Sequence, residues 1–346
     1  MSNRDRSDLT VLVPCFDAGV HLSPLLESLR AQTKSDLRIV VVDDRSTDDS
    51  VAVARAHPGI EVIVNEHRLG IGGNWNRCTN LVDTEFFALA HMDDVYEPEW
   101  ASKSIARLRG QAAAGAVHSR ARAIDELGEF IDSPRERYKL RAWRHAPHCD
   151  RAATYRRLLQ SNFVAAPSVV WRTAAFREFA GFDASLRFAL DWKALFELLL
   201  AGHELAAVDE PLVRYRRHTA SATHHLGDVT QRTREEIAVA TFARERGIAA
   251  GLLEIGTPVS TAARDLALVD VVDDLRSGQR ERARTRMRFL REELGLYRRD
   301  GVVRAVSALL SLGRVGEWCL RVAFRAFVAL RAPRSSVSGS RCRPVA

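Results

Sequence analysis

Continuous apolar runs alternate with helix-like segments along the first ninety residues, and this alternation constrains the fold more than any other feature. The runs lie at Thr10–Val13, Leu37–Val42, Ile60–Val64 and Glu85–Ala90. Between the first two, leucines recur at helical spacing over residues 22–29. Strands that are apolar on both faces are typical of a parallel sheet covered by helices on both sides. We therefore expect an α/β domain with a mostly parallel central sheet.

Acidic pairs lie at or just after the ends of two of these strands. Asp43-Asp44 ends the second run, and Asp93-Asp94 comes shortly after the fourth. Open α/β sheets bind ligands outside the carboxyl ends of their strands, so both pairs predict a ligand site there. Neighbouring carboxylates stay ionised where hydrogen-bond donors face them, and a nucleotide offers such donors through its base and ribose. A helix N-cap before the segment STDDS is the structural alternative for the first pair.

The pattern loosens between residues 109 and 155, where we expect one strand at 116–123 and then a variable loop region. Beyond it we predict strands at 163–171, 205–208 and 212–215 and a helix at 192–201. After residue 230 the chain becomes helical in pattern and rich in Arg and Glu. These changes predict an α/β domain over residues 1–228, a helical region over 229–334 and a disordered tail over 335–346.

Composition narrows the function classes. The 346 residues carry a formal net charge of +7, which suits phosphate-bearing ligands or an anionic membrane surface. Basic residues are not interleaved with aromatic ones as in RNA-binding modules, so we expect no nucleic-acid partner. Five scattered cysteines without a CxxC pair argue against a disulfide framework or a zinc site and favour a reducing compartment. Together with the polar N-terminus, this predicts a cytoplasmic protein.

Six motifs in one order resemble the family 2 glycosyltransferases, which have the GT-A fold, a Rossmann-like α/β arrangement. They span residues 9–225 and read VLVPCFDAG, IVVVDDRSTDDS, NEHRLGIGGNWNRC, HMDDVYEPEW, AGFDASLRFALDW and YRRHTAS. The resemblance implies a GT-A domain with a helical extension at its C-terminal side. It also implies metal-dependent, inverting transfer of a sugar from a nucleotide-sugar donor to a glycan or lipid-linked acceptor.

The resemblance further implies which residues bind the donor. The loop after the first strand would cradle the base or ribose through Pro14, Phe16 and Asp17, of which Asp17 replaces the usual Asn. Asp44 would contact the base.

The glycine-rich segment at residues 70–73 is not GxGxxG and does not open off the first strand, which argues against a dinucleotide fold. In the resembled family this segment positions the donor, with Arg68 or Asn76 in contact. For each of these residues, a purely structural role is the alternative.

The segment His91-Met92-Asp93-Asp94 predicts a metal site. A departing diphosphate is neutralised by a hard divalent cation, and carboxylates supply its oxygen ligands. The family pattern is acidic-x-Asp-Asp, so His91 is a departure. The resemblance implies Mn²⁺ or Mg²⁺ on Asp93, supported by Asp94, with His91 and His218 as further ligands. Taken alone, such a pair is frequent in ordinary turns.

Asp191 is the predicted general base, because inverting transfer needs a group that takes the proton of the acceptor hydroxyl. The family places a carboxylate before an aromatic residue, as in Asp191-Trp192, but this chain lacks the preceding Glu. A helix N-terminal carboxylate is the structural alternative. Arg216 would donate to diphosphate oxygens, although an RRH sequence is otherwise typical of a solvated surface.

Residues 302–331 form an amphipathic pattern with arginines on one arc and Val, Leu and Trp on the other. Such a helix suits peripheral contact with the inner face of the plasma membrane. Packing on the catalytic domain, or in a homodimer, is the alternative.

Two other functions stay open at this level. A catalytically silent nucleotide-sugar-binding protein would explain why His91 and Leu190 stand where the family has acidic residues. A nucleotidyltransferase shares a similar sheet but expects a Gly-rich basic loop after the first strand, which PCFDAG lacks. A dehydrogenase is disfavoured on the same ground.

Overall fold

The computed structural model describes residues 7–144, 150–217, 229–257, 262–293, 301–311, 313–314 and 316–320. Within these ranges the chain divides into two compact units. The first comprises residues 7–130, 150–155 and 164–217. The second comprises residues 131–144, 156–163 and the described residues from 229 onward. The domain boundary near residue 228 stays a prediction, and the tail at 335–346 lies outside the described residues.

In the described part of the first unit, eight strands form one mixed sheet in the order β3-β2-β1-β4-β7-β6-β8-β5. The strands are β1 Leu9–Cys15, β2 Arg38–Asp43, β3 Ile60–Val64, β4 Phe86–Leu89, β5 Val95–Tyr96, β6 Ala114–Ile124, β7 Val170–Arg172 and β8 Glu204–Arg216. Strands β1 to β4 pair in parallel, as do β6 and β8. Strands β7 and β5 run antiparallel to their neighbours. The α/β fold expected from the sequence is confirmed.

Helices cover this sheet and build the second unit. They are α1 Leu22–Arg30, α2 Ser50–Ala56, α3 Gly70–Thr79, α4 Trp100–Arg109, α5 Pro134–Arg144, α6 Arg151–Gln160, α7 Thr173–Phe176, α8 Leu190–Leu200, α9 Val229–Ala249, α10 Ala262–Arg276, α11 Arg280–Arg288 and α12 Gly301–Ser311.

The core of the first unit explains why β1 is apolar on both faces. Leu9, Val11, Leu12 and Val13 are each fully buried. On one side, α1 packs the leucines of its apolar stripe into the same cluster as Val11 and Val13. Burying a side chain of this size contributes about 1.5–3 kcal/mol, which favours an uninterrupted apolar run where both faces of the strand are buried.

Two predictions of strands differ from the structure. The strand predicted at 163–171 is the short β7, preceded by a 3-10 turn over Ala166–Ser168, where Pro167 fixes the backbone. The two strands predicted at 205–208 and 212–215 are one strand, β8. Pro211 lies opposite Arg120 at a register irregularity, so a bulge accommodates the proline that the sequence pattern interprets as a break.

The region predicted as a variable loop after residue 123 contains α5 and α6. Helical periodicity is hidden there because arginines take up buried positions. Arg135 and Arg157 are 6% and 5% exposed, and Arg157 donates to the carbonyl oxygen of Ala142 at 2.9 Å.

The second unit has its own apolar core, formed by α10, α11, α12 and the turn over Phe289–Glu293. Val303 and Leu320 are buried in it, and the apolar residues of α12 pack against it. The described part of the predicted amphipathic segment therefore buries apolar side chains within this unit, while Trp318 is 64% exposed. Membrane contact stays a prediction, and residues 321–331 lie outside the described part. Among the described helices, none is both long and apolar enough to cross a membrane.

Buried ion pairs join α5, α10 and α11. Arg135 and Arg286 both contact Asp270, and Arg286 also contacts Asp274 at 2.9 Å. Burial alone would raise the pKa of the Asp270 carboxyl, but the guanidinium groups of Arg135 and Arg286 reverse this and hold it well below its usual range. Asp270 is therefore charged and paired at neutral pH.

We predict that Asp270→Asn lowers the free energy of unfolding by about 3–5 kcal/mol at pH 7, because it leaves buried arginines without their counter-charge. Urea denaturation followed by circular dichroism measures this. Since the folded-state pKa lies below the unfolded value of about 3.9, the contribution is complete above that pH and is lost as the pH falls. The difference in the free energy of unfolding between the wild-type protein and Asp270→Asn should therefore become smaller at acidic pH.

The matched control is Glu281→Gln, an exposed carboxylate on α11, which should change stability by about 0.5 kcal/mol or less. Equal stability of Asp270→Asn and the wild-type protein at pH 7 would contradict the assigned role of the ion pairs.

Candidate functional site

The loops that follow β1, β2 and β4 meet at one edge of the sheet, because the three strands are parallel neighbours. The amide of Phe16 donates to the sulfur of Met92 at 3.4 Å, and the amide of Asp17 donates to Ser46 Oγ at 3.0 Å. The predicted base-binding loop is therefore beside both acidic segments. Pro14 and Phe16 are half-buried and Asp17 is exposed.

Asp17 ties the first loop to the second. Its carboxylate accepts from the Thr47 amide at 2.7 Å, and its φ of +48° places it in the left-handed region. Asn and Asp tolerate that region better than other side chains, which explains physically why Asp can replace Asn here. Nearby, the Gly19 amide donates to Asp48 at 2.9 Å and strengthens the same connection.

Arg68 and Phe16, both predicted to face the donor, are in contact. The guanidinium carbon of Arg68 lies 3.7 Å from the centroid of the Phe16 ring. Arg68 is exposed, so the cation–π contact holds a positive charge at the open side of the site.

Asp44 closes the start of α3. The N-cap residue, Leu69, provides no side-chain acceptor, and the Asp44 carboxylate accepts instead from the amides of Leu69 at 2.7 Å and Gly70 at 2.8 Å. A carboxylate at this position accepts hydrogen bonds from amides that have no partner within the helix, and its negative charge interacts favourably with the helix dipole. Asp44 is 3% exposed, and its contact with a nucleotide base stays a prediction.

Two asparagines that the sequence reasoning did not select complete this arrangement. Asn65 donates to Asp44 and to the side-chain oxygen of Asn74, each at 2.9 Å. Asn74 donates to the carbonyl oxygen of Val42 at 3.0 Å. Both asparagines are buried, and their side-chain amides are hydrogen-bonded as buried polar groups generally are, but no pattern in the sequence distinguishes them from exposed polar residues.

Asn76 links α3 to the loop that precedes α8. Its amide nitrogen donates to the Phe182 carbonyl oxygen at 2.8 Å, and its amide oxygen accepts from the Phe182 amide at 2.9 Å. A Cβ on Gly181 would lie 2.9 Å from that amide oxygen, and one on Gly72 would lie 2.6 Å from Ala184 Cα. The helix thus lies directly on this loop, and a donor contact by Asn76 stays a prediction.

Asp183 anchors the same loop from the other side. Its carboxylate accepts from Lys193 Nζ on α8 at 2.8 Å. The hydrogen bond from Lys193, followed by that from Ser185, lowers the pKa of Asp183 to about 2. The loop is therefore held between α3 and α8.

Asp191 lies in the first turn of α8 and borders the same cleft as His91. The His91 ring is 5.3 Å from the Trp75 ring, centroid to centroid. Asp191, the predicted general base, and His91, the first residue of the predicted metal segment, therefore line one cleft. Its lining is formed by Trp75, Leu89, His91, Ala166, Val169, Trp171, Phe182, Asp191 and Leu195.

Asp93 and Asp94, which the sequence predicts as metal ligands, differ in exposure and in contacts. Asp93 is half-buried, whereas Asp94 is 3% exposed and accepts from the Arg216 amide at 2.8 Å. His91 Nδ1 is 4.0 Å from Asp94 Oδ2, and burial lowers the pKa of His91, so its imidazole is neutral at pH 7. In the part of the chain that the structure describes, no three His, Cys, Asp or Glu side chains are grouped to hold a metal. His218 lies outside that part.

Arg216 secures this segment through backbone contacts. Its guanidinium donates to the carbonyl oxygens of Asp93 at 3.0 Å and Asp125 at 2.7 Å. Binding of a diphosphate by Arg216 stays a prediction.

We predict that Asn76→Ala lowers the free energy of unfolding by about 1–3 kcal/mol, because it leaves the Phe182 peptide without its partner. The control is Asn80→Ala at the exposed end of α3, which should have an effect of about 0.5 kcal/mol or less. Chemical denaturation of both variants measures the difference. Equal effects would show that the hydrogen bonds to Phe182 contribute nothing.

Comparisons with known proteins agree with this fold. A profile described as Glycosyl transferase family 2 matches residues 10–178. A β-1,3-glucosyltransferase of Campylobacter jejuni, which acts on GalNAc(5)-diNAcBac-PP-undecaprenol by its name, is 30% identical over 115 residues, 32% of this chain and 36% of that protein. The alignments span under two fifths of the length of the first curated relatives that the chain matches.

Two solved structures share the fold. Pyrobaculum calidifontis mannosyltransferase PcManGT, in complex with GDP-Man and Mn²⁺, has a TM-score of 0.57 at 14% identity and covers 95% of this chain and 88% of its own. S. aureus TarS residues 1–349, in complex with UDP-GlcNAc, has a TM-score of 0.53 at 17% identity and covers 83% and 92%. The central sheet with its flanking helices is therefore a GT-A fold. The matched profile and the order of the motifs identify residues 10–178 as a glycosyl transferase family 2 domain.

Proposed function

We propose that this chain transfers a sugar from a nucleotide diphosphate donor to an acceptor hydroxyl, with inversion at the anomeric carbon. One observation carries the proposal: Asp191 and His91 line the same cleft. His91 comes two residues before Asp93, where the donor diphosphate is expected. A carboxylate therefore faces the cleft beside the end of the sheet at which the nucleotide-side loops meet.

Asp191 acts as the general base. Its carboxylate takes the proton of the acceptor hydroxyl while the hydroxyl oxygen forms a bond to the anomeric carbon. The bond between that carbon and the diphosphate oxygen breaks, and the nucleoside diphosphate leaves with the electron pair. Attack from the face opposite the leaving group inverts the configuration.

The nucleotide-side loops hold the donor. The base and ribose lie against Pro14, Phe16 and Asp17, and Arg68 brings a guanidinium to the diphosphate. Positive charge at this position favours a departing anion, and the contact of Arg68 with Phe16 keeps its guanidinium beside the loop that holds the base.

Asp93 fits a divalent cation by the chemistry of its donor set, because hard oxygen ligands suit Mn²⁺ or Mg²⁺. A bound cation would neutralise charge that develops on the leaving diphosphate. Asp94 supports the segment through the Arg216 amide. Because the described side chains do not by themselves form a complete site, the remaining ligands would come from the donor's phosphate oxygens and from His218.

The acceptor is a glycan or lipid-linked saccharide of the cell envelope. The Campylobacter relative, whose name specifies an undecaprenyl diphosphate acceptor, supports this class. Peripheral contact with the membrane and a homodimer remain compatible with the proposal.

Nucleotide binding tests the donor part. We predict that UDP-, GDP- or dTDP-sugars, assayed separately with and without Mn²⁺, raise the melting temperature in the order of their affinity, since a ligand of the folded state stabilises it by mass action. Asp93→Ala should abolish the metal-dependent part of the shift. Absence of any shift in a folded protein would contradict the proposed donor site.

Substitution of the base tests the chemistry. We predict that Asp191→Asn lowers kcat by about 10²–10⁴-fold and leaves the nucleotide-dependent thermal shift unchanged, because the amide cannot accept the proton. Asp83→Asn, which changes an exposed carboxylate outside the site, is the control. Wild-type protein that binds the donor but turns over no faster than Asp191→Asn would identify a silent binding protein.

A further inference from the structure

The cleft beside Asp191 is polar at its rim and apolar below it. Among its described lining side chains, His91 and Asp191 are ionisable, and the other seven are aliphatic or aromatic, with one indole N–H donor on each of the two tryptophans. Val169, Trp171 and Leu195 are 3% exposed or less and form the floor. The space between these side chains is small and open on one side, so the cleft can take a small substituent of a sugar and not a whole sugar ring.

The floor is preformed. The Phe182 ring meets the Trp75 ring edge-on at 5.0 Å and the Trp171 ring at 6.2 Å between centroids. The backbone of Phe182 is held by both hydrogen bonds of Asn76. These ring contacts and hydrogen bonds fix the position of Phe182 in the wall of the cleft.

This lining discriminates between the groups that a sugar can present. A hydroxyl placed on the floor would lose its hydrogen bonds to water and gain few in return, which disfavours it. A methyl group placed there is removed from water among hydrocarbon and aromatic atoms, which favours it. At the rim the proposed general base takes the proton of the hydroxyl that attacks the anomeric carbon, so we assign the group on the floor to the sugar that carries this carbon.

We propose that the cleft receives a methyl-bearing substituent of the transferred sugar. The acetamido group of an N-acetylhexosamine and the methyl group of a 6-deoxyhexose share this chemistry. The acetamido group is attached to C2, which is bonded to the anomeric carbon. The methyl group of a 6-deoxyhexose is attached to C5, which is bonded to the ring oxygen. The inference rests on the proposed function, since it assigns the donor sugar of the same site.

Paired donors that share a nucleotide test the inference directly. Initial rates of transfer or donor hydrolysis are compared for UDP-GlcNAc against UDP-glucose, and for dTDP-6-deoxyglucose against dTDP-glucose. We expect the methyl-bearing donor of one pair to be preferred in kcat/KM by at least about ten-fold, the scale on which hydrophobic pockets discriminate a single carbon group. The pair that shows the preference identifies the substituent.

Filling the cleft is the second arm. Ala166 is a half-buried lining residue on the 3-10 turn. Ala166→Leu should lower the preference for the methyl-bearing donor at least about ten-fold and leave UDP or dTDP affinity unchanged. Ala201→Leu, the same change at the exposed end of α8, should leave the preference intact. Ala166→Val, a smaller change, should give an intermediate ratio if Ala166→Leu does not fold.

Each contrary result has a separate meaning. Equal rates for both members of every pair, or a preference kept in Ala166→Leu, would overturn the inference while transfer itself persists. A raised acceptor KM in Ala166→Leu with an unchanged donor preference would assign the cleft to the acceptor and also overturn it. Failure to bind any nucleotide would instead remove the proposed function.

Discussion

The carboxylate of Asp44 at the start of α3 is the interaction on which the arrangement of the site depends. It closes the helix by accepting from the amides of Leu69 and Gly70, for which the N-cap side chain offers no acceptor. Once α3 is fixed against the end of β2, Asn76 can hold the peptide of Phe182. Loop and helix then place Asp191 beside the cleft. The hydrogen bonds of Asp44 to α3 and those of Asn76 to Phe182 thus connect the loop after β2 to Asp191, the proposed general base.

The α/β sheet and the edge that carries the site could be predicted from the sequence. Buried strands such as β1 are apolar on both faces, which is a strong and local signal, and the acidic pairs mark where the strands end. Pairing of parallel neighbours then brings the loops at Asp17 and Asp93 together without further information. The order of six motifs added the family, which the matched profile over residues 10–178 supports.

The contacts inside that edge could not be predicted, because they depend on side-chain directions and not on periodicity. Asn65 and Asn74 are buried partners of Asp44 and Val42, although neither position differs in sequence from an ordinary polar residue. In the same way, arginines such as Arg135 occupy buried positions of the second unit and conceal its helical period. Pro211 breaks the apolar pattern of β8 while the strand continues through a bulge.

The most direct test of the account is a crystal structure of the chain with a nucleoside diphosphate and Mn²⁺. We predict that the nucleobase lies against the loop of Phe16 and Asp17, that the diphosphate lies beside Asp93, and that the Asp191 cleft is open next to the terminal phosphate. A nucleotide bound at another face of the sheet, or with its diphosphate remote from Asp93 and Asp191, would contradict it.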